Sequence, residues 1–189
     1  SVTPAVLTEF GEFYLWRNWQ HEIQIVAALR QRMANVNANP KAADQSDLSL
    51  LFAGVDQNKG QLQRAAVTGV IGQRLFVLSG GPGTGKTTTV LRMLLLLQRI
   101  AKRDGQTLSI ALAAPTGKAA QRLSQSLRDG ASAMRLALGL GSEKTQAAPN
   151  DAADWTSALA SLPESASTLH RLLGARPRDD QFSHDANNP

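Results

Sequence analysis

Gly80-Gly81-Pro82-Gly83-Thr84-Gly85-Lys86-Thr87 fills the pattern G-x-x-x-x-G-K-[ST] at every required position. Upstream, Leu75-Phe76-Val77-Leu78-Ser79 is a short apolar run of the kind that forms a buried parallel strand. Downstream, the residues from Lys86 to about Ala101 predict a helix. Strand, glycine loop and helix together let the loop N–H groups converge on phosphate oxygens, with the positive end of the helix dipole behind them. The backbone must come close to the phosphates and turn sharply there, which a Cβ would hinder. Gly80, Gly81, Pro82, Gly83, Thr84, Gly85, Lys86, Thr87 and Thr88 therefore form a candidate nucleoside triphosphate site. Lys86 is expected to reach the β- and γ-phosphates and Thr87 to place its hydroxyl on Mg²⁺, the two catalytic assignments of the loop.

The 189 residues allow one large α/β domain, or one domain with a smaller piece, and 42% hydrophobic content argues against disorder. A net charge of +5 favours a polyanionic partner such as nucleic acid. With no cysteine, a disulfide framework and a thiolate metal site are both excluded, and a cytoplasmic location is expected. No N-terminal segment has a basic start, an apolar middle and a small-residue cleavage site. The most apolar stretch, Val90 to Leu97, is too short to span a bilayer.

Outward from the loop, residues 12 to 16 read as a strand, and Arg17 to about Asn35 as a helix with Trp19, Ile23, Val26 and Met33 near helical spacing. Asn37 to Asp47, containing Pro40, reads as a linker, and Ser46 or Asp47 as the cap of a short helix through Phe52. Gln61 to about Ile71 predicts another helix. After a turn at Asp104-Gly105, Thr107 to Ala114 predicts a second buried strand, broken by Pro115-Thr116-Gly117. Lys118 to Arg128 then predicts a helix, and the two strands with the helix between them make a βαβ unit with a right-handed crossover. Beyond Gly130 the pattern weakens: Ala147 to Asp154 resembles a loop, Trp155 to Leu162 a short helix, and order returns over Ser167 to Leu173.

Ala113-Ala114-Pro115-Thr116-Gly117-Lys118-Ala119-Ala120 follows the second strand, and ligands of open parallel sheets collect at strand C-terminal ends. Thr116 and Lys118 would supply a hydroxyl and a cation at a helix N-terminus, which suits a nucleic-acid phosphate. An ordinary αβ connection capped by Thr116 explains the same residues.

Taken with the phosphate loop, this stretch resembles motif Ia of the superfamily 1 helicases. Ser167-Thr168-Leu169-His170-Arg171-Leu172-Leu173-Gly174 is similar to the T-[IL]-H-R-L-L-G block of the RecD-type helicases within that superfamily. Gln63-Arg64-Ala65-Ala66 stands where these enzymes carry their Q motif, whose glutamine reads adenine; Gln61 lacks the alanine three residues on. Tyr14-Leu15-x-Arg17-x-Trp19-x-x-Glu22 is similar to the segment that joins their N-terminal domain to the motor.

The resemblance implies a P-loop NTPase (RecA-like) parallel sheet flanked by helices over residues 56 to 189, after the end of a small, mainly helical N-terminal segment at 1 to 55. It also implies ATP and Mg²⁺ as ligands, Gln63 on adenine, and Thr116, Lys118, Thr168 and His170 on or beside single-stranded DNA. Family members move 5′ to 3′ inside a bacterial complex, exodeoxyribonuclease V, with its β and γ subunits (RecB and RecC), and process duplex ends for break repair. Nuclease chemistry there lies on another subunit.

Hydrolysis also needs an acidic strand end and an arginine finger. No run of four apolar residues followed by Asp-Glu occurs here: Asp151, Asp154, Glu164, Asp179, Asp180 and Asp185 all lack an apolar strand before them. The chain is therefore expected to be a piece ending before that motif, binding nucleotide weakly and not turning it over. Arg122, Arg128 and Arg135 would form a DNA-facing helix stripe or a solvated surface; Trp16, Trp19 and Trp155 would stack bases or pack in a core. Two rivals share the loop. One is a small-molecule or nucleotide kinase with Arg171, Arg176 and Arg178 in its lid; the other is a subunit-docking piece using residues 1 to 55.

Overall fold

A computed structural model describes residues 4–34, 42–140, 149–175 and 182–184. The chain forms two compact units: Ser1–Lys41 with Gly72–Val77, and Ala42–Ile71 with Leu78–Pro189.

In the first unit, β1 (Ala5–Leu7) pairs antiparallel with β2 (Phe13–Leu15), Ala5 opposite Leu15. Thr8 closes the hairpin, its Oγ1 accepting from the Glu12 N–H at 3.1 Å. The strand expected at 12 to 16 is thus one arm of a hairpin. Helix α1 (Trp16–Ala34) follows at once, and Trp16 stacks on Trp19 with ring centroids 5.3 Å apart. No residue of α1 is buried: its apolar positions Ile23, Val26 and Met33 remain exposed.

The second unit is built around α4 (Lys86–Arg103), against which α3 (Gln57–Gly69), α5 (Gly117–Ala137) and α6 (Pro149–Ala160) pack. Leu91, Leu95 and Leu96 of α4 are fully enclosed with Val67 of α3 and Trp155 of α6. Burying a side chain of this size contributes roughly 1.5–3 kcal/mol. Trp155 is 1% exposed and so belongs to the core, not to a stacking surface. Helices α4 and α5 approach closely where Gly130 meets Leu91: a Cβ there would stand 3.1 Å from Leu91 Cδ2. That glycine serves packing, and α5 runs on to Ala137 instead of stopping near Arg128.

Buried charge ties the helices together. Asp47 lies in α2 (Gln45–Leu51); its carboxylate accepts from Arg99 of α4 at 3.1 Å, and the two side chains are 1% and 2% exposed. Arg103 reaches the other Asp47 oxygen at 2.9 Å, and Arg99 also pairs with Asp154 of α6 at 3.0 Å. Asp47 is therefore committed to this network, and Asp44 caps α2 instead, its carboxylate accepting from the Ser46 N–H at 2.9 Å. This corrects the expected cap at Ser46 or Asp47. Residues 37 to 41 of the expected linker lie outside the described residues. The loop expected at Ala147 to Asp154 is instead helical from Pro149, since proline fits the first helical position, where no N–H is needed.

Among the described residues the expected parallel sheet is present only as one short pair. β3 (Ala113–Ala114) lies parallel to β4 (Ser167–Thr168), followed directly by the single turn α7 (Leu169–Leu172). Residues 75–79 form no ladder with any described residue, and Val77 is 78% exposed. A strand exists through hydrogen bonds to a neighbour, and apolar content without a partner leaves extended chain. The same holds for 107–112, of which only Leu112 adds to the pair, accepting from the Ser167 N–H at 2.9 Å.

Candidate nucleotide and nucleic-acid site

The phosphate loop turns onto the first residue of α4 through Gly85, whose φ of +77° lies in the left-handed region that favours glycine. A Cβ at Gly85 would stand 2.8 Å from Gln63 Nε2, so a side chain there would displace the Gln63 amide as well as strain the backbone. A Cβ added at Gly80 would stand 3.0 Å from Thr84 Oγ1, and that hydroxyl donates to the Gly81 carbonyl at 2.9 Å. Within this curl the Lys86 ammonium donates to the carbonyls of Gly80 and Gly81 at 2.6 and 2.5 Å. The loop thus folds around a single cation at the positive end of an 18-residue helix, an arrangement suited to phosphate oxygens.

Thr87 and Thr88 occupy the exposed first turn of α4, where a hydroxyl is open to a metal bound alongside phosphates. Thr89 is buried, donating instead to the Gly85 carbonyl at 3.0 Å. Pro82 and Gly83 form the exposed tip of the loop.

A cleft of about 450 Å³ opens beside the loop, lined by Leu62, Gln63, Ala66, Leu78, Ser79, Gly80, Thr84, Lys86 and Thr89. Its size and its mixture of apolar walls with a few polar groups fit a small-molecule site. Gln63 comes from α3, 21 residues earlier in the chain than Thr84, and its Nε2 donates to the Thr84 carbonyl at 3.2 Å. Gln61 faces elsewhere, lining a separate depression with Val55, Asp56, Gly60 and Arg64.

Arg92 is a site residue that the sequence reading passed over. It is only 8% exposed, and its Nη1 donates to Gln63 Oε1 at 3.0 Å while its Nε donates to the Leu51 carbonyl at 2.8 Å. The guanidinium lies 4.6 Å from the centroid of the Phe52 ring. Burial pulls its pKa below the ordinary arginine value. A signal was available: one arginine interrupts the apolar run Val90 to Leu97.

The other predicted residues gather at the carboxyl ends of the parallel pair. Ala114 lies opposite Thr168, and Thr116 follows two residues later. Each threonine caps a helix. Thr116 Oγ1 accepts from the Ala119 N–H at 3.2 Å, and Thr168 Oγ1 from the Arg171 N–H at 3.2 Å. Accepting with one lone pair leaves each hydroxyl proton able to donate. Lys118 is exposed in the first turn of α5. His170 is exposed in α7, its ring 6.2 Å from Phe182.

The arginine stripe divides. Arg128 and Arg135, seven residues apart, share a helix face and line a depression of about 620 Å³ with Leu159, Glu164 and Ser165. This depression is larger than the cleft at the loop, and it is lined by the second half of α5 and by residues just before β4, with neither Thr116 nor Thr168 in its wall. Arg122 falls on another face.

The family model described as an AAA domain matches residues 63–189. The chain is 35% identical, over its whole length, to the RecBCD enzyme subunit RecD of Haemophilus influenzae, and 41% identical over 96% of its length to that of Mycolicibacterium smegmatis. It is also 30% identical, over 74% of its length, to the ATP-dependent RecD2 DNA helicase of Deinococcus radiodurans, of which it covers 18%. It spans 27% and 28% of the two RecD subunits.

Proposed function

The chain belongs to the AAA domain family, and on that premise we propose that it is the nucleotide- and DNA-binding part of a RecD-type helicase subunit, driven by ATP with Mg²⁺ and moving 5′ to 3′ on single-stranded DNA. Its partners in this reading are duplex DNA ends and the RecB and RecC subunits of a bacterial exodeoxyribonuclease V, its setting the cytoplasm, and its task the preparation of double-strand breaks for repair. Gly80 to Thr88 hold the triphosphate, Thr87 the magnesium, and Gln63 the adenine. Thr116, Lys118, Thr168 and His170 meet the DNA backbone. Nuclease chemistry is not assigned to this chain.

One observation carries the reading. The parallel register that sets Ala114 against Thr168 brings two stretches some fifty residues apart in sequence to the same sheet edge, in a chain that also carries the curled phosphate loop. A kinase needs no such second edge. The residues described hold no acidic strand end beside the loop, so the 189-residue chain alone is expected to bind nucleotide without turning it over.

The test is ATPase activity of the full-length protein with and without single-stranded DNA, beside Lys86→Ala. Stimulation by DNA that disappears in the variant supports a DNA motor. Hydrolysis indifferent to DNA removes Thr116, Lys118, Thr168 and His170 from the site and favours the kinase reading.

A further inference from the structure

Gln63 is held from both ends of its amide. Arg92 must face the carbonyl oxygen because it can only donate, and the Thr84 carbonyl must face the amide nitrogen because it can only accept. No other orientation of the amide satisfies both partners. Arg92 is in turn immobilised: its Nε is committed to the Leu51 carbonyl, its plane lies over Phe52, and it is 8% exposed.

We propose that Arg92 is a specificity-positioning residue, which through the Gln63 amide makes the nucleotide cleft select adenine over guanine. The inference rests on the nucleotide reading above. A Gln63 amide pinned in this way still has one lone pair on Oε1 and one N–H on Nε2, and Gln63 lines the cleft. Adenine offers a matching edge, an amino donor beside a ring-nitrogen acceptor. Guanine presents two acceptors on that edge, so its carbonyl would meet the pinned Oε1. Without Arg92, the amide is free to rotate or swing away, and a bidentate contact becomes an intermittent one. Arg92 makes no contact with the loop among the bonds described, so its influence on the base passes through Gln63. The same clamp couples the base to the loop, since Gln63 bonds the Thr84 carbonyl one residue before Gly85.

The experiment measures dissociation constants of fluorescent ATP and GTP analogues for the full-length protein and its Arg92→Lys, Gln63→Ala and double variants, with Lys86→Ala alongside. Lysine keeps the charge but cannot span Leu51 and Gln63 together. Arg92→Lys is expected to lower the preference for ATP over GTP about tenfold by weakening ATP, with GTP affinity unchanged, within the range that a bidentate base contact commands. Gln63→Ala should give the same loss, and the double variant no more than either. An unchanged ATP-to-GTP ratio in Arg92→Lys, or additive losses in the double variant, would overturn the proposal while leaving the nucleotide site intact. Absence of Lys86-dependent binding of either analogue in the unmodified protein would defeat the nucleotide reading itself. Should Arg92→Lys not fold, Phe52→Leu loosens the guanidinium while keeping every hydrogen-bonding group. It should lower the same ratio by a smaller factor, and a ratio equal to that of the unmodified protein would count against the proposal.

Discussion

Ala114 and Thr168 face each other across a parallel pair only two residues long, and that register alone puts the caps of α5 and α7 at one edge. Thr116 caps one of these helices and Thr168 the other, so each hydroxyl has a structural duty as well as the proposed contact with a phosphate.

Those two duties separate by substitution. Thr116→Ala should cost about 1 kcal/mol through loss of the cap and weaken single-stranded DNA binding, while Thr116→Ser should preserve both. Lys118→Ala should leave stability within about 0.5 kcal/mol and lower the slope of log affinity against log salt by about one. Thermal melting and DNA titration at several salt concentrations measure these effects. An unchanged salt slope would remove Lys118 from the DNA face.

Gly85→Ala should lose nucleotide binding. It places a Cβ at 2.8 Å from Gln63 Nε2 on a residue with φ of +77°, and the backbone term alone costs roughly 1–2 kcal/mol. Gly105→Ala is the control: its φ is +65°, yet nothing lies within 4 Å of the added carbon. It should cost similar stability while nucleotide affinity stays unchanged, as nucleotide titration beside a melting curve would show.

Asp47→Ala should strongly destabilise the second unit, since Asp47 is fully buried. Removing the carboxylate takes a buried charge partner from both Arg99, 2% exposed, and Arg103, and breaking a buried ion pair on one side costs about 3–5 kcal/mol. Asp44→Ala removes an exposed cap and should cost clearly less. Urea denaturation of the two variants gives the comparison; equal midpoints would deny the network its role.

Acid should loosen the packing of α6 on α4. The hydrogen bond from Lys102, then the nearby charges of Lys102 and Arg99, hold the Asp154 carboxyl below the usual aspartate range. A carboxylate with a lowered folded pKa contributes stability that is fully present above the unfolded value near pH 4. That stability is lost as pH falls through the folded pKa. Stability should therefore be flat from neutrality to about pH 4 and fall below it. Asp154→Asn should be less stable at pH 7 and show a shallower acid decline, as melting temperatures across this range would reveal.

How much of this was legible beforehand follows the reach of each interaction. Helices α1, α3 and α4 and the curl of the loop rest on contacts within a few residues, so spacing, glycines and the Lys86-Thr87 pair marked them. The octet 80 to 87 by itself determined a glycine-rich turn curled around Lys86, because its glycines and lysine act locally. Among the described residues the expected strand at 75–79 forms no ladder and that at 107–114 pairs only at its end, because an apolar run carries no information about whether a hydrogen-bonding neighbour exists. The helix expected to end at Arg128 runs on past Gly130, which is a contact point with Leu91. Tertiary structure alone decided that Ala114 meets Thr168, that Asp47 is spent on Arg99 instead of capping α2, and that Arg92 holds Gln63 beside the loop. Each of these joins residues 29 to 54 apart in sequence, and only the folded chain brings such distant groups within hydrogen-bonding range.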